Sequence, residues 1–154
     1  MSVHQRIIPG LLEVCASIHP DCAVVLIGSV AQGTERPCSD LDLNLIFPGD
    51  ELPQNQHPYV GDDNRWQLVV KDKIEGIRID IAWETQQVLI DYVAGPQVRA
   101  CWPFSNGRIL RDPLNVAAPS LAIANQWYVD HPEVRERYER VYAEAKRRQR
   151  DARC

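Results

Sequence analysis

The stretch Gly28-Ser29-Val30-Ala31-Gln32-Gly33-Thr34-Glu35-Arg36-Pro37-Cys38-Ser39-Asp40-Leu41-Asp42-Leu43 decides how the rest of the chain is read. It follows Ala23-Val24-Val25-Leu26-Ile27, a short β-branched-rich run between Asp21 and Gly28, which predicts a buried strand. Gly28 permits a tight turn. Ser29 stands where a helix begins, so its hydroxyl and the free N–H groups of the next turn suit a phosphate. Alone, the Gly-Ser pair is equally well read as Ser29 capping a short helix through Ala31 that closes at Gly33. Asp40 and Asp42 shift that balance. Residues i and i+2 of a strand share a face, so Asp40, Asp42 and Asn44 are expected on one side, with Leu41, Leu43 and Leu45 packed on the other. Adjacent carboxylates repel unless a cation lies between them or one stays protonated, and magnesium is the usual cation of phosphate chemistry.

A third carboxylate lies in Gly76-Ile77-Arg78-Ile79-Asp80-Ile81-Ala82-Trp83, where Ile77, Ile79, Ile81 and Trp83 alternate with Arg78 and Asp80. If this strand pairs beside the first, Asp80 joins Asp40 and Asp42. Three carboxylates on one sheet face have room for two metal ions about 4 Å apart, the arrangement of an in-line phosphoryl displacement. Asp80 is then placed to accept the proton of an attacking hydroxyl.

Read together, these residues resemble the signature of the DNA polymerase β-type nucleotidyltransferase superfamily, in particular its minimal and antibiotic-modifying members. The correspondence takes in Gly-Ser, the second glycine, Ser-Asp, Asp-x-Asp and the later Ile-Asp-Ile. Asn106-Gly107-Arg108-Ile109-Leu110-Arg111-Asp112-Pro113 is similar to the strand and turn that close this domain in many relatives, so the resemblance covers roughly residues 20 to 113. It implies an α/β (α+β) fold: a mixed, largely antiparallel sheet flanked by helices, with a catalytic domain over residues 1–116 and a short helical extension over 117–154. It implies that Gly28 and Ser29, with Gly33, Ser39 and Arg78, bind the nucleotide, and that Asp40, Asp42 and Asp80 bind two Mg2+ ions, Asp80 also activating the acceptor. The expected reaction moves a nucleoside monophosphate, AMP from ATP, onto a hydroxyl of a small molecule or partner protein and releases pyrophosphate. The chain departs from the pattern at Asn44, where relatives often carry an apolar residue, and at the polar segment Pro48 to Asn64, where minimal members tend to have a helix.

Two other functions compete with this reading. A protein that keeps the fold and acts mainly by docking a helical partner, as antitoxin-like members do, is compatible with the same residues. Asp40-Leu41-Asp42 also matches the D-x-D of a sugar-nucleotide glycosyltransferase, but such enzymes generally need a larger nucleotide domain, and the Gly-Ser turn then has no explanation.

Composition fits one catalytic domain with an appendage. The chain has 154 residues, 45% of them hydrophobic, and carries a formal charge of −4. Residues 131–154 hold eight Lys or Arg against five Asp or Glu, a balance of +3, so the first 130 residues carry −7. An acidic catalytic body argues against a large nucleic-acid footprint. No apolar run of about 18 residues is present and Met1 to Arg6 lacks a signal-peptide core, so a cytoplasmic protein with no membrane span is expected. The five cysteines lack C-x-x-C spacing and are expected as reduced thiols, while His4, His19, His57 and His131 read as surface or turn residues.

Helical spacing predicts a helix over Arg6 to Ile18, with Pro9-Gly10 as its start or a kink, and another from an N-cap at Thr85 to Val93, stopped by Gly95-Pro96. Trp66 to Lys71 and Gly76 to Trp83 read as a hairpin, Pro48 to Asn64 as a loop, and Arg108 to Leu110 as a last strand. Beyond Pro119 the stripe Val134, Tyr138, Val141, Tyr142 and Ala145 predicts a helix that docks on its own chain or pairs with a second, as a homodimer or with a helical partner protein.

Overall fold

A computed structural model describes residues 2–53, 65–68, 74–94 and 105–153. The first helix, α1 (Val3–Ile18), begins one turn earlier than the spacing predicts. Ser2 and Gln5 form a reciprocal capping box that satisfies the free N–H groups of its first turn. Pro9 lies inside α1 rather than at its start. An interior proline costs about 3 kcal/mol, but Pro9 points outward while Ile7, Ile8, Leu11 and Cys15 are buried against the sheet, so packing outweighs the lost bond.

Five strands form one mixed sheet in the order β3-β4-β2-β1-β5. They are β1 (Ala23–Ile27), β2 (Leu41–Phe47), β3 (Arg65–Leu68), β4 (Ile79–Thr85) and β5 (Arg108–Arg111). β1 pairs antiparallel with β2 and β5, and β3 with β4, while β2 and β4 run parallel. The sheet is thus mixed and largely antiparallel, as expected. The β3–β4 pairing agrees with the expected hairpin, although residues 69–73 of that connection lie outside the described residues.

Alternation assigns the two faces. Val24, Leu26, Leu41, Leu43, Leu45, Ile79, Ile81 and Trp83 pack with α1 in one core. Ala23, Val25 and Ile46 on the other face pack with Leu89 of α3 (Gln86–Ala94) and with Leu121, Ala124 and Tyr128 of α4 (Ala118–Asp130). Thr85 caps α3 as predicted, its hydroxyl accepting the Val88 N–H at 3.2 Å; the expected stop at Gly95-Pro96 lies outside the described residues. No capping side chain precedes α4, where Ala117 is the N-cap. The Asp112 carboxylate takes that role from five residues upstream, accepting the N–H groups of Val116, Ala117 and Ala118 at 2.8, 3.0 and 2.9 Å.

The last helix, α5 (Pro132–Arg153), lays Val134, Tyr138 and Tyr142 onto the second core. The packed stripe is narrower than predicted: Val134, Tyr138 and Tyr142, four apart, meet the core, while Val141 and Ala145 face solvent. Among the described residues no helix is long and apolar enough to cross a membrane.

Candidate functional site

β1 ends at Ile27 and the backbone turns at Gly28, whose φ of +71° lies in the left-handed region open to glycine. A short helix, α2 (Gly28–Ala31), starts at once, with Ile27 as its N-cap. The reading of Ser29 as the cap is therefore corrected: Ser29 lies inside the first turn, and its carbonyl accepts the Thr34 N–H at 2.9 Å. Gly33 also has a positive φ, +67°, and closes α2 in open space.

Asp42 is the register partner of Ile27 on one side and of Asp80 on the other. The Gly28 turn and two carboxylates therefore meet at one end of the central strands. Contact there is close: a Cβ at Gly28 would overlap Oδ2 of Asp42. Glycine is needed both for the backbone angle and for the room it leaves that oxygen. Arg78 stands two residues before Asp80 on the same face and donates from Nε to Asp80 Oδ1 at 3.0 Å.

Asp40 differs from expectation. β2 starts at Leu41, whose N–H is tied to the Arg78 carbonyl at 2.9 Å, so Asp40 lies one residue ahead of the strand rather than within it. Among the described residues no three His, Cys, Asp or Glu side chains are grouped so as to hold a metal ion. What the structure assembles is a pair, Asp42 and Asp80, both half-buried, on strands about 4.8 Å apart. Paired hard oxygen donors, open to solvent, fit magnesium, which binds through one or two carboxylates and keeps several waters.

The loop before Asp40 is held by residues that sequence reasoning assigned elsewhere. Ser39 accepts the Arg36 N–H on its hydroxyl at 2.9 Å and returns its own N–H to the Arg36 carbonyl at 3.0 Å. The Ser39 carbonyl accepts from Nε2 of His4 at 2.8 Å. His4 is thus a buried loop clamp on α1, neither the surface nor the turn residue expected, whereas His19 stands at a turn, its carbonyl accepting the Cys22 N–H at 3.3 Å, with its ring buried edge-on between Phe47 and Trp83 and burial lowering its pKa. Cys38, in the same loop, is disulfide-bonded, which corrects the expectation of five reduced thiols; Cys15 and Cys22 are free and buried. Spacing in sequence carries no signal for either ring's contacts, since each joins residues far apart along the chain.

One residue of the C-terminal helix packs against the cluster on the sheet face that carries Asp42. Tyr142 is half-buried, and its phenol pKa is raised by burial and, second, by the charge of Asp42. A cleft of about 440 Å³ opens at the opposite end of β2, lined by His19, Phe47 and Glu51 among others, and touches none of the predicted site residues.

A Gly-Ser turn leading into a helix beside paired strand carboxylates is an arrangement for binding phosphate and a cation. The family model of the nucleotidyltransferase domain matches residues 8–98, more than half of the chain, and the chain belongs to that family. Among solved structures it is similar to one described as a toxin-antitoxin with AMP-PNP, at 12% identity and a TM-score of 0.39, covering 85% of this chain and 97% of that one. No curated protein sequence matches it.

Proposed function

We propose that this protein is a magnesium-dependent nucleotidyltransferase that moves AMP from ATP onto an acceptor hydroxyl and releases pyrophosphate. The observation that carries the reading is the register pairing of Asp42 with Asp80 beside the Gly28 turn. Asp42 and Asp80, joined by Asp40 at the entry to β2, are the residues that would hold magnesium. When bound, the metal supplies neutralisation of phosphate charge and polarisation of the reacting phosphoryl group.

The chain's own residues account for the rest. Gly28 and Ser29 offer the triphosphate a turn and a hydroxyl, Gly33 leaves open space where α2 closes, and Ser39 contributes at the far end of the same loop. Arg78 holds Oδ1 of Asp80, which orients the carboxylate and assigns the acceptor's proton to Oδ2. The same guanidinium is the cation nearest the pair in sequence and is assigned to a phosphate oxygen of the nucleotide. The acceptor, a small molecule or a hydroxyl on a partner protein, approaches from the Asp80 side.

Calorimetric titration of ATP and the other triphosphates, with and without magnesium, tests this. Metal-dependent binding that disappears in the Asp42→Asn variant supports the reading; equal binding by that variant, or none by the wild type, refutes it.

A further inference from the structure

Asn44 is a polar residue only 4% exposed in the middle of β2, where strand preference favours a branched apolar side chain. Leu43 and Leu45 on either side of it pack into the α1 core, so Asn44 lies on the opposite face, the one that carries Asp42 and Ile46. Its cross-strand partners are Val25 on β1 and Ala82 on β4, neither with a polar side-chain atom. Along β2, Ile46 beyond it is sealed in the core, while Asp42 before it is half-buried beside the Gly28 turn. Three of its four nearest neighbours on this face thus offer no hydrogen bond, and the fourth is a carboxylate of the candidate site. Among the described residues the amide forms no hydrogen bond. A buried amide left unmet lowers stability, so the group that satisfies it is one that enters the site beside Asp42.

We propose that Asn44 is a positioning residue for the metal of the nucleotidyl-transfer site: its amide hydrogen-bonds a water in the hydration shell of the cation that Asp42 and Asp80 hold. The proposal rests on the nucleotidyltransferase reading above. Positions 42 and 44 lie two residues apart on one strand, about 6.8 Å, and Asp80 stands one strand spacing, about 4.8 Å, to the side of Asp42. A gap of that size suits one intervening water. Magnesium held by one or two carboxylates keeps several waters, whose protons turn away from the ion and need acceptors. The amide oxygen is such an acceptor, and it carries no charge to repel the two carboxylates. Ala82 opposite presents only a methyl group and is half-buried, which leaves room for the water on the β4 side. Outer-shell hydrogen bonds of this kind are typically worth about 10- to 100-fold in metal affinity or activity.

The test uses the full chain with Asn44→Val and Asn44→Asp. Three quantities are read: Mn2+ affinity from the paramagnetic resonance signal of the free ion, ATP binding, and thermal unfolding. Asn44→Val removes the amide and suits a central strand, so it is expected to melt no lower than the wild type yet bind Mn2+ about 10-fold more weakly. A merely structural amide would give the reverse, a lower melting temperature with unchanged Mn2+ affinity, and that result overturns the proposal. Asn44→Asp keeps the shape and adds a carboxylate within reach of the ion, so it is expected to bind Mn2+ about 10-fold more tightly. Equal Mn2+ affinity in Asn44→Asp puts position 44 beyond the ion's reach and overturns the proposal however Asn44→Val folds. Either overturning result, with wild-type Mn2+ and ATP binding intact, leaves the nucleotidyltransferase reading standing. A wild type that binds neither Mn2+ nor any triphosphate refutes that reading, and the positioning role with it.

Discussion

Asp42 on β2 and Asp80 on β4 are direct partners across a parallel strand pair, so two carboxylates 38 positions apart in the chain share one face of the sheet beside the Gly28 turn. Parallel pairing is what makes them neighbours: it brings the entry of both strands to the same end.

Replacing Asp42 by Asn is expected to abolish magnesium-dependent triphosphate binding while leaving the melting temperature within about 2 °C of wild type, since removing one of two like charges relieves repulsion. Calorimetry and a thermal scan read both quantities. A variant that unfolds instead would show that the pair is structural.

Gly28→Ala is expected to destabilise by more than the 1–2 kcal/mol typical of a left-handed residue with a Cβ, because the new methyl also meets Asp42 Oδ2. A double-mutant cycle with Asp42→Ala separates the two causes. Removing the Asp42 side chain should recover the steric part alone; full additivity would mean that the approach of Gly28 to Asp42 has no energetic consequence.

His4→Phe keeps a ring of similar size but removes the part-buried bond to the Ser39 carbonyl, at an expected cost of about 1 kcal/mol. Because Ser39 adjoins Asp40, triphosphate affinity should fall as well. Urea unfolding together with ATP titration measures the two effects; an affinity equal to wild type would confine His4 to stability.

The Cys22 thiol is pushed up to about 11 by burial first and by Cys15 second, and burial also raises Cys15. Both therefore stay protonated at neutral pH, and alkylation of the folded protein at pH 8 should be far slower than after denaturation. Their folded-state values lie above the unfolded ones, so the associated stability is complete below pH 9 and declines as pH rises from 9 toward 11. Unfolding free energies measured across that range should fall in the wild type and less in Cys22→Ala; equal slopes would contradict the assignment.

Much of this protein is written locally. The apolar run at Ala23–Ile27, the alternations around Asp42 and Asp80 and the cap at Thr85 each depend on residues a few positions apart, where strand and helix periods act directly. They specify which side of each strand carries carboxylates and which joins the core. The Gly-Ser turn and Asp-x-Asp likewise point to phosphate and metal before any tertiary contact is considered.

Other features depend on what the fold brings together. Asp40 falls outside β2 because pairing with Arg78 starts the strand at Leu41. His4 is buried because α1 crosses the loop at Ser39, and Asp112 caps a helix it precedes by six residues. Val141 is exposed and Tyr142 packed because the core surface α5 docks on, not α5 itself, selects which stripe is covered. Local sequence thus determined the elements and the chemistry each can carry, whereas the register of β2 against β4 and the docking of α1 and α5 decided which groups meet. The reason is that side-chain periodicity is set within one element, while proximity between elements is set by packing of surfaces distant along the chain.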